Sequence, residues 1–244
     1  CFDPTCNGNA ACSGGFFGQT ASCTYVPGTA SFTMKPKWRT DTAQFDIFST
    51  LSPVAGDIDG DGVAEVIAYN HNGLSGGSAG AGSKLYIVNG INGMVEDSIV
   101  APVNAPAFMT SGIAIADLDN DGFGEVVVMG SDSRIRCYEH TTVLKWTSPA
   151  LSPALTPVVN IADFDQDGNP EVYVSNFIFN GQTGAQVAVG AFPPGGAIGA
   201  PLASGGLVAL GMTIAADVLP TGFCADCGGL ELIAGDKVYS VNIG

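Results

Sequence analysis

Apolar and polar residues alternate over short stretches of this chain, and acidic, glycine-rich turns separate the stretches. Glu65-Val-Ile-Ala-Tyr69 leaves one such turn and is followed by Lys84-Leu-Tyr-Ile-Val-Asn89. Runs like the second recur from Arg134 to Glu139, from Asn176 to Asn180 and from Lys237 to Asn242. Period-two alternation between turn residues predicts β-strands, and Asn89-Gly90 and Asn180-Gly181 carry the chemistry of hairpin turns. Patterns of helical period are nearly absent, so the chain is expected to be all-β.

The strands fall into repeats. Pro53 to Ile67 is matched by Ile113 to Val127 and by Val159 to Tyr173, and a fourth unit from Thr213 to Ala234 keeps the flanks but loses the middle. The leading aspartates stand at 57, 117, 163 and 217. That spacing, roughly 46 to 60 residues, suits one blade of four antiparallel strands per repeat. Trp38 and Trp146 stand at similar distances before Asp57 and Asp163, which marks 32–40 as the outer strand of a preceding, incomplete blade. The last unit is expected to lack its fourth strand. The organisation read this way is a Cys-rich segment over 1–30 and blades over 31–244, with repeats near 50–100, 110–150, 155–190 and 208–244.

Each of the first three turns places carboxylates at positions 1, 3, 5 and 9 and Gly at position 6. These are Asp57, Asp59, Asp61, Gly62 and Glu65; Asp117, Asp119, Asp121, Gly122 and Glu125; Asp163, Asp165, Asp167, Gly168 and Glu171. Four like charges in nine residues are costly unless a hard cation sits among them, and all-oxygen donors in a flexible loop suit Ca2+. The backbone carbonyls at position 7, of Val63, Phe123 and Asn169, would add a fifth ligand. An EF-hand shares the first six positions but needs a Glu at position 12, where this chain has Ala68, Val128 and Val174. Three cation sites are therefore expected, each bracing a β-hairpin. A looser fourth would combine Asp217, Asp226 and Glu231. Acidic β-turns without a metal use the same residue types, but three copies in register argue against that reading.

These residues resemble the FG-GAP/VCBS repeat family, the calcium-loop β-propeller blades of integrin α-subunits and of many secreted bacterial surface proteins. The resemblance covers about 50–244 and rests on the threefold DxDxDGxxE followed by Val and an apolar residue. It implies a partial β-propeller, since such families close rings of seven or eight blades and four units are too few. Missing blades, another chain or further copies of this one would then pair with the open edges at 32–40 and 237–244.

Composition changes this picture in three places. With 8 Lys+Arg against 23 Asp+Glu and a net charge of -15, the chain has no basic footprint for nucleic acid. Apolar runs are broken by Gly and Pro before reaching the roughly 18 to 20 residues of a membrane helix. Cys1, Cys6, Cys12 and Cys23 crowd a small polar segment and read as a disulfide staple of undetermined pairing, and Cys224 and Cys227 read as a local disulfide. Cys137 is left as a buried free thiol. An extracellular location follows, for a chain that starts at Cys1 as a mature or trimmed segment.

No catalytic constellation stands out, because His71 and His140 lie in different repeats and the carboxylates are used as ligands. A structural or adhesive role is expected, with no enzymatic activity and with a protein or glycan as ligand. The alternative is a carbohydrate-binding propeller, either a lectin or the scaffold of a polysaccharide lyase. Asp41-Thr-Ala43 and Asp97-Ser-Ile99 are weak matches to a bacterial O-glycosylation motif at Thr42 and Ser98. The stretch from 172 to 216 carries no formal charge and is read as blade core, a Gly/Pro loop, or a covered surface around Ala191 to Gly196.

Overall fold

The computed structural model describes residues 34–40, 52–70, 83–102, 112–151, 158–190, 213–220, 222–223, 228–234 and 237–243. Cys1–Lys37 forms one compact unit and Trp38–Gly244 another. The remaining cysteines except Cys137, together with His71, Thr42, Asp226 and the segment 191–212, lie outside the described residues.

Fifteen strands are described in the second unit, and none of the described residues is helical. Sheet 1 is β1 (Val54–Gly56), β2 (Glu65–Tyr69), β3 (Lys84–Asn89) and β4 (Val95–Val100). Sheet 2 is β5 (Ala114–Ala116), β6 (Glu125–Met129), β7 (Ile135–Tyr138) and β8 (Leu144–Thr147). Sheet 3 is β9 (Val159–Ala162), β10 (Glu171–Val174), β11 (Phe177–Asn180) and β12 (Gln186–Val189). The fourth sheet holds β13 (Thr213–Ala216), β14 (Glu231–Ala234) and β15 (Lys237–Tyr239), one strand fewer than the others among the described residues. Every pairing is an antiparallel meander, and the runs expected from 84, 134, 176 and 237 supply the third strand of each sheet.

Period-two alternation explains how the sheets stack. On β6, Val126 and Val128 point into a cluster with Ile67, Leu85 and Ile87 of sheet 1. Val127 and Met129, one residue out of phase, point the other way and pack with Val172, Val174 and Phe179 of sheet 3. Sheet 3 repeats the arrangement, with Tyr173 and Ile178 packed against Leu232 and Ala234 of the fourth sheet. Sheets 2 and 3 are thus buried on two faces, and their central strands read as nearly continuous apolar runs.

Indole rings lock two of these steps. Trp146 on β8 donates its Nε1–H to the carbonyl of Gly181 at 2.7 Å, in the β11–β12 turn of the next sheet. Its ring lies against Gly184 (φ 68), where a Cβ would come within 2.4 Å. Trp38 does the same to sheet 1, bonding the Gly90 carbonyl at 2.9 Å and lying against Gly93 (φ 75). Residues 34–40 form no strand, contrary to the reading of 32–40 as an outer strand. Trp38 holds its register through the indole, without ladder pairing.

Outer strands β4, β8 and β12 each carry an irregularity at one corresponding place. Ile87 faces Asp97 while Val88 faces Val95, so Glu96 is left over as a β-bulge. By the same count Lys145 is left over on β8 and Val187 on β12. A bulge re-aims the side chain of its extra residue.

Truncating Trp146→Ala is expected to cost about 3–5 kcal/mol, because it removes a buried aromatic and a hydrogen bond together. Gly184→Ala should cost about 1–3 kcal/mol, by strain at positive φ and by collision with the ring. Urea unfolding of each variant measures both. Cys137 is fully buried and burial pushes its thiol pKa up, so alkylation should begin only as the chain unfolds.

Candidate metal centres

The three acidic turns are built alike, beginning with the first aspartate. Asp57 accepts the N–H of Gly60 at 2.8 Å and that of Gly62 at 2.9 Å. Asp117 accepts from Asp121 and Gly122, and Asp163 from Asp167 and Gly168. Bending the chain this sharply requires positive φ at position 6, at Gly62 (φ 86), Gly122 (φ 92) and Gly168 (φ 90). Position 4 is also left-handed, and there Gly60, Asn120 and Gln166 take it. The aspartate at position 5 then accepts the N–H of position 7, from Val63, Phe123 and Asn169 at 2.7, 2.9 and 2.7 Å.

The glutamates at position 9 are almost inaccessible, at 2%, 0% and 5% exposure. Each turns Oε2 back across the loop to accept the N–H of position 2: Ile58 at 3.0 Å, Leu118 at 2.7 Å and Phe164 at 3.0 Å. Glu231 does the same for Val218 and Leu219 in the fourth sheet, where Asp217 is exposed. Burial raises the pKa of all three loop glutamates. That of Glu171 is pushed up to about 7, by desolvation above all and by Asp165, Asp163 and Asp167, against the lowering effect of the Phe164 N–H.

In loop 1, carboxylate oxygens of Asp57, Asp59 and Asp61 lie within 4.8 Å of one another, and in loop 3 those of Asp163, Asp165 and Asp167 do so. Oxygen-only clusters on exposed turns fit a hard divalent cation, and the two trios would hold one. Glu65 and Glu171 stand outside these trios.

Loop 2 is arranged differently. Its clusters are Asp117, Asp119 and Glu125, and Asp121, Glu125 and Glu139. Lys145 lies among them, its Nζ 2.6 Å from Asp119, 3.1 Å from Glu125 and 3.0 Å from Glu139. The ammonium bond lowers the pKa of Asp119. Burial alone would lower that of Lys145, but the three carboxylates raise it. Phe123 stacks on His140 with ring centroids 4.3 Å apart. Asn120 reaches from this loop to the Gly168 carbonyl and to Asn169 Oδ1 of loop 3, which also accepts from Gln182.

The stretch from the first aspartate of loop 2 to the end of β10, loop 3 included, is similar to a known repeat. Residues 117–174 match the FG-GAP-like repeat family. No curated protein sequence matches the chain. Among solved structures, the V. cholerae biofilm matrix protein Bap1 is similar in fold, with a TM-score of 0.54 and 19% identity over 84% of this chain. The chain spans 32% of that Bap1 chain. Rhamnogalacturonan lyase YesW aligns over 77% of this chain and 44% of its own, at 19% identity and a TM-score of 0.43. Sheet 1 carries a turn of the same backbone build ahead of the matched stretch.

Sequence reasoning found the aspartates and position 6 but missed two features. The hydrogen bond from position 2 to the glutamate has no sequence signal beyond the apolar residue after the first Asp. Lys145 sits far from loop 2 in the chain, and only the bulge on β8 brings it there.

A pH dependence follows for the metal-free protein. Glu171 has a folded pKa of about 7 against an ordinary value of 4.5, so the folded chain holds a proton that the unfolded chain releases between these values. Stability should therefore be highest below pH ~4.5 with respect to this group and fall by up to about 3 kcal/mol as pH rises to ~7. Glu171→Gln should flatten that slope in thermal melts taken across the range. A slope of opposite sign would contradict the assignment.

Proposed function

We propose that this chain is part of a calcium-braced β-propeller that works outside the cell as a structural or adhesive module. The observation that carries the reading is the aspartate trio, repeated at the same turn of stacked four-stranded sheets. The FG-GAP-like repeat and the fold likeness to a biofilm matrix protein support it. Calcium would fold the three carboxylates of a turn around itself and replace their mutual repulsion by coordination, stiffening the step between the first two strands of a sheet.

The fourth sheet supports an assembly role. Ile214, Ile233 and Val238 face each other across β13, β14 and β15. Ile233 lies two residues after Glu231, the register position at which Ile67, Val127 and Tyr173 pack against the next sheet. Ile214 is 57% exposed and Val238 49%. Apolar side chains in that position favour cover by a further sheet, from this polypeptide or a partner.

Several buried titratable groups have structural roles, which favours a non-enzymatic module. The buried glutamates hold backbone N–H groups, and Arg136 is paired in bidentate fashion with Asp132. No described helix is long and apolar enough to cross a membrane.

Excess EGTA should lower the melting temperature, and Ca2+ should restore it. Asp59→Ala and Asp165→Ala should each weaken one site and reduce the calcium-dependent part of the shift. An unchanged melting temperature in protein shown to be metal-free would refute the calcium reading. A glycan array, with ultraviolet absorbance to detect unsaturated sugar products, tests the carbohydrate alternative. Binding or turnover there would replace the adhesive reading.

A further inference from the structure

The three turns share a backbone and differ in what the outer strand brings to them. On β4 the bulge residue is Glu96, which accepts from Asn89 Nδ2 at 2.7 Å and adds negative charge near Glu65. On β12 it is Val187, which lines a cleft of about 300 Å³ with Asp165, Asp167, Glu171 and Gln182 beside loop 3. On β8 it is Lys145, whose side chain is 13% exposed and whose Nζ contacts three carboxylates.

The loop carboxylates record the consequence. Asp59 and Asp165 each turn Oδ1 to the N–H of position 5, at 3.1 and 3.4 Å, and stay with their trios. Asp119 instead gives Oδ2 to Lys145, and its Oδ1 is buried without a hydrogen-bond partner. Both oxygens of Glu125 are engaged, Oε2 by the Leu118 N–H and Oε1 by Lys145. Among the described residues the three aspartates of loop 2 form no common cluster.

We propose that loop 2 supplies its own cation: Lys145, delivered by the β8 bulge, stands where a divalent ion would sit, so that loops 1 and 3 bind Ca2+ and loop 2 does not. A divalent ion entering loop 2 would have to displace a buried ammonium from Asp119 and Glu125 and then lie beside its charge, and like charges at such separations repel strongly. The bulge position thereby sets cation occupancy loop by loop, independently of the DxDxDGxxE motif. The inference rests on the calcium reading of loops 1 and 3.

Native mass spectrometry of the full chain, titrated with CaCl2 after EGTA treatment, tests it. Lys145→Met should bind one more Ca2+ than the parent protein. Asp59→Asn and Asp165→Asn should each lose one, and Asp119→Asn none. Lys145→Met should also melt below the parent in EGTA and regain the difference when Ca2+ is added. Equal ion counts for Lys145→Met and parent, or loss of an ion in Asp119→Asn, would overturn the proposal. Should Lys145→Met fail to fold, Lys145→Gln and the Asp119→Asn comparison decide by the same criteria. Absence of any loss in both Asp59→Asn and Asp165→Asn would sink the calcium reading instead, and the Lys145 comparison would still judge this one.

Discussion

In the first three sheets one residue, the apolar side chain directly after the first loop aspartate, ties the architecture together. Its N–H goes back to the buried glutamate of its own loop, as at Ile58, Leu118 and Phe164. Its side chain plugs the core between its own sheet and the next, each of the three being essentially inaccessible. Its carbonyl accepts an N–H from the following sheet, Gly124 to Ile58 and Leu230 to Phe164, both at 2.8 Å. A buried carboxylate is expensive unless it is hydrogen-bonded. Here the hydrogen bond also closes the turn that gathers the aspartates. The fourth sheet lacks the run of aspartates and keeps the glutamate, which indicates that the glutamate can close the turn without them.

The junction between sheets 2 and 3 departs from this scheme. Pro170 occupies the place of Gly124 and Leu230 and has no N–H to offer the Leu118 carbonyl. Asn120 bridges the two loops with its side-chain amide instead. The same junction contains the Trp146 lock and a core cluster with two phenylalanines. Lost backbone bonding is offset by side chains, in the loops and at the outer edge alike.

Much of the fold was legible because it depends on local chemistry. Period-two runs, Asn-Gly turns and a repeated Asp-Gly pattern are written within a few residues of where they act, and the strands formed there. Position 12 fell inside a strand at Ala68, Val128 and Val174, as the exclusion of an EF-hand required. Features requiring contact between distant residues were not legible. The bulge that delivers Lys145 depends on strand register, and no spacing in the chain announces it. Trp38 and Trp146 make equivalent contacts, yet residues 34–40 around Trp38 form no strand, since a ladder needs a neighbouring strand and an indole needs only a carbonyl and a glycine shelf.

That glycine shelf has a consequence for how such a chain divides. Trp146 belongs by hydrogen bonding to sheet 2 but is seated in a turn of sheet 3, and Trp38 is seated in sheet 1 from outside it. The sheet and the interlocking unit are therefore out of phase. A segment that could be copied or spliced with its fastening intact runs from the tryptophan of one outer strand through the three strands that follow and the turn after them, and it straddles two sheets. Cutting at the boundary between sheets would leave a bare indole on one piece and an unfilled shelf on the other, whereas cutting ahead of the tryptophan would preserve both.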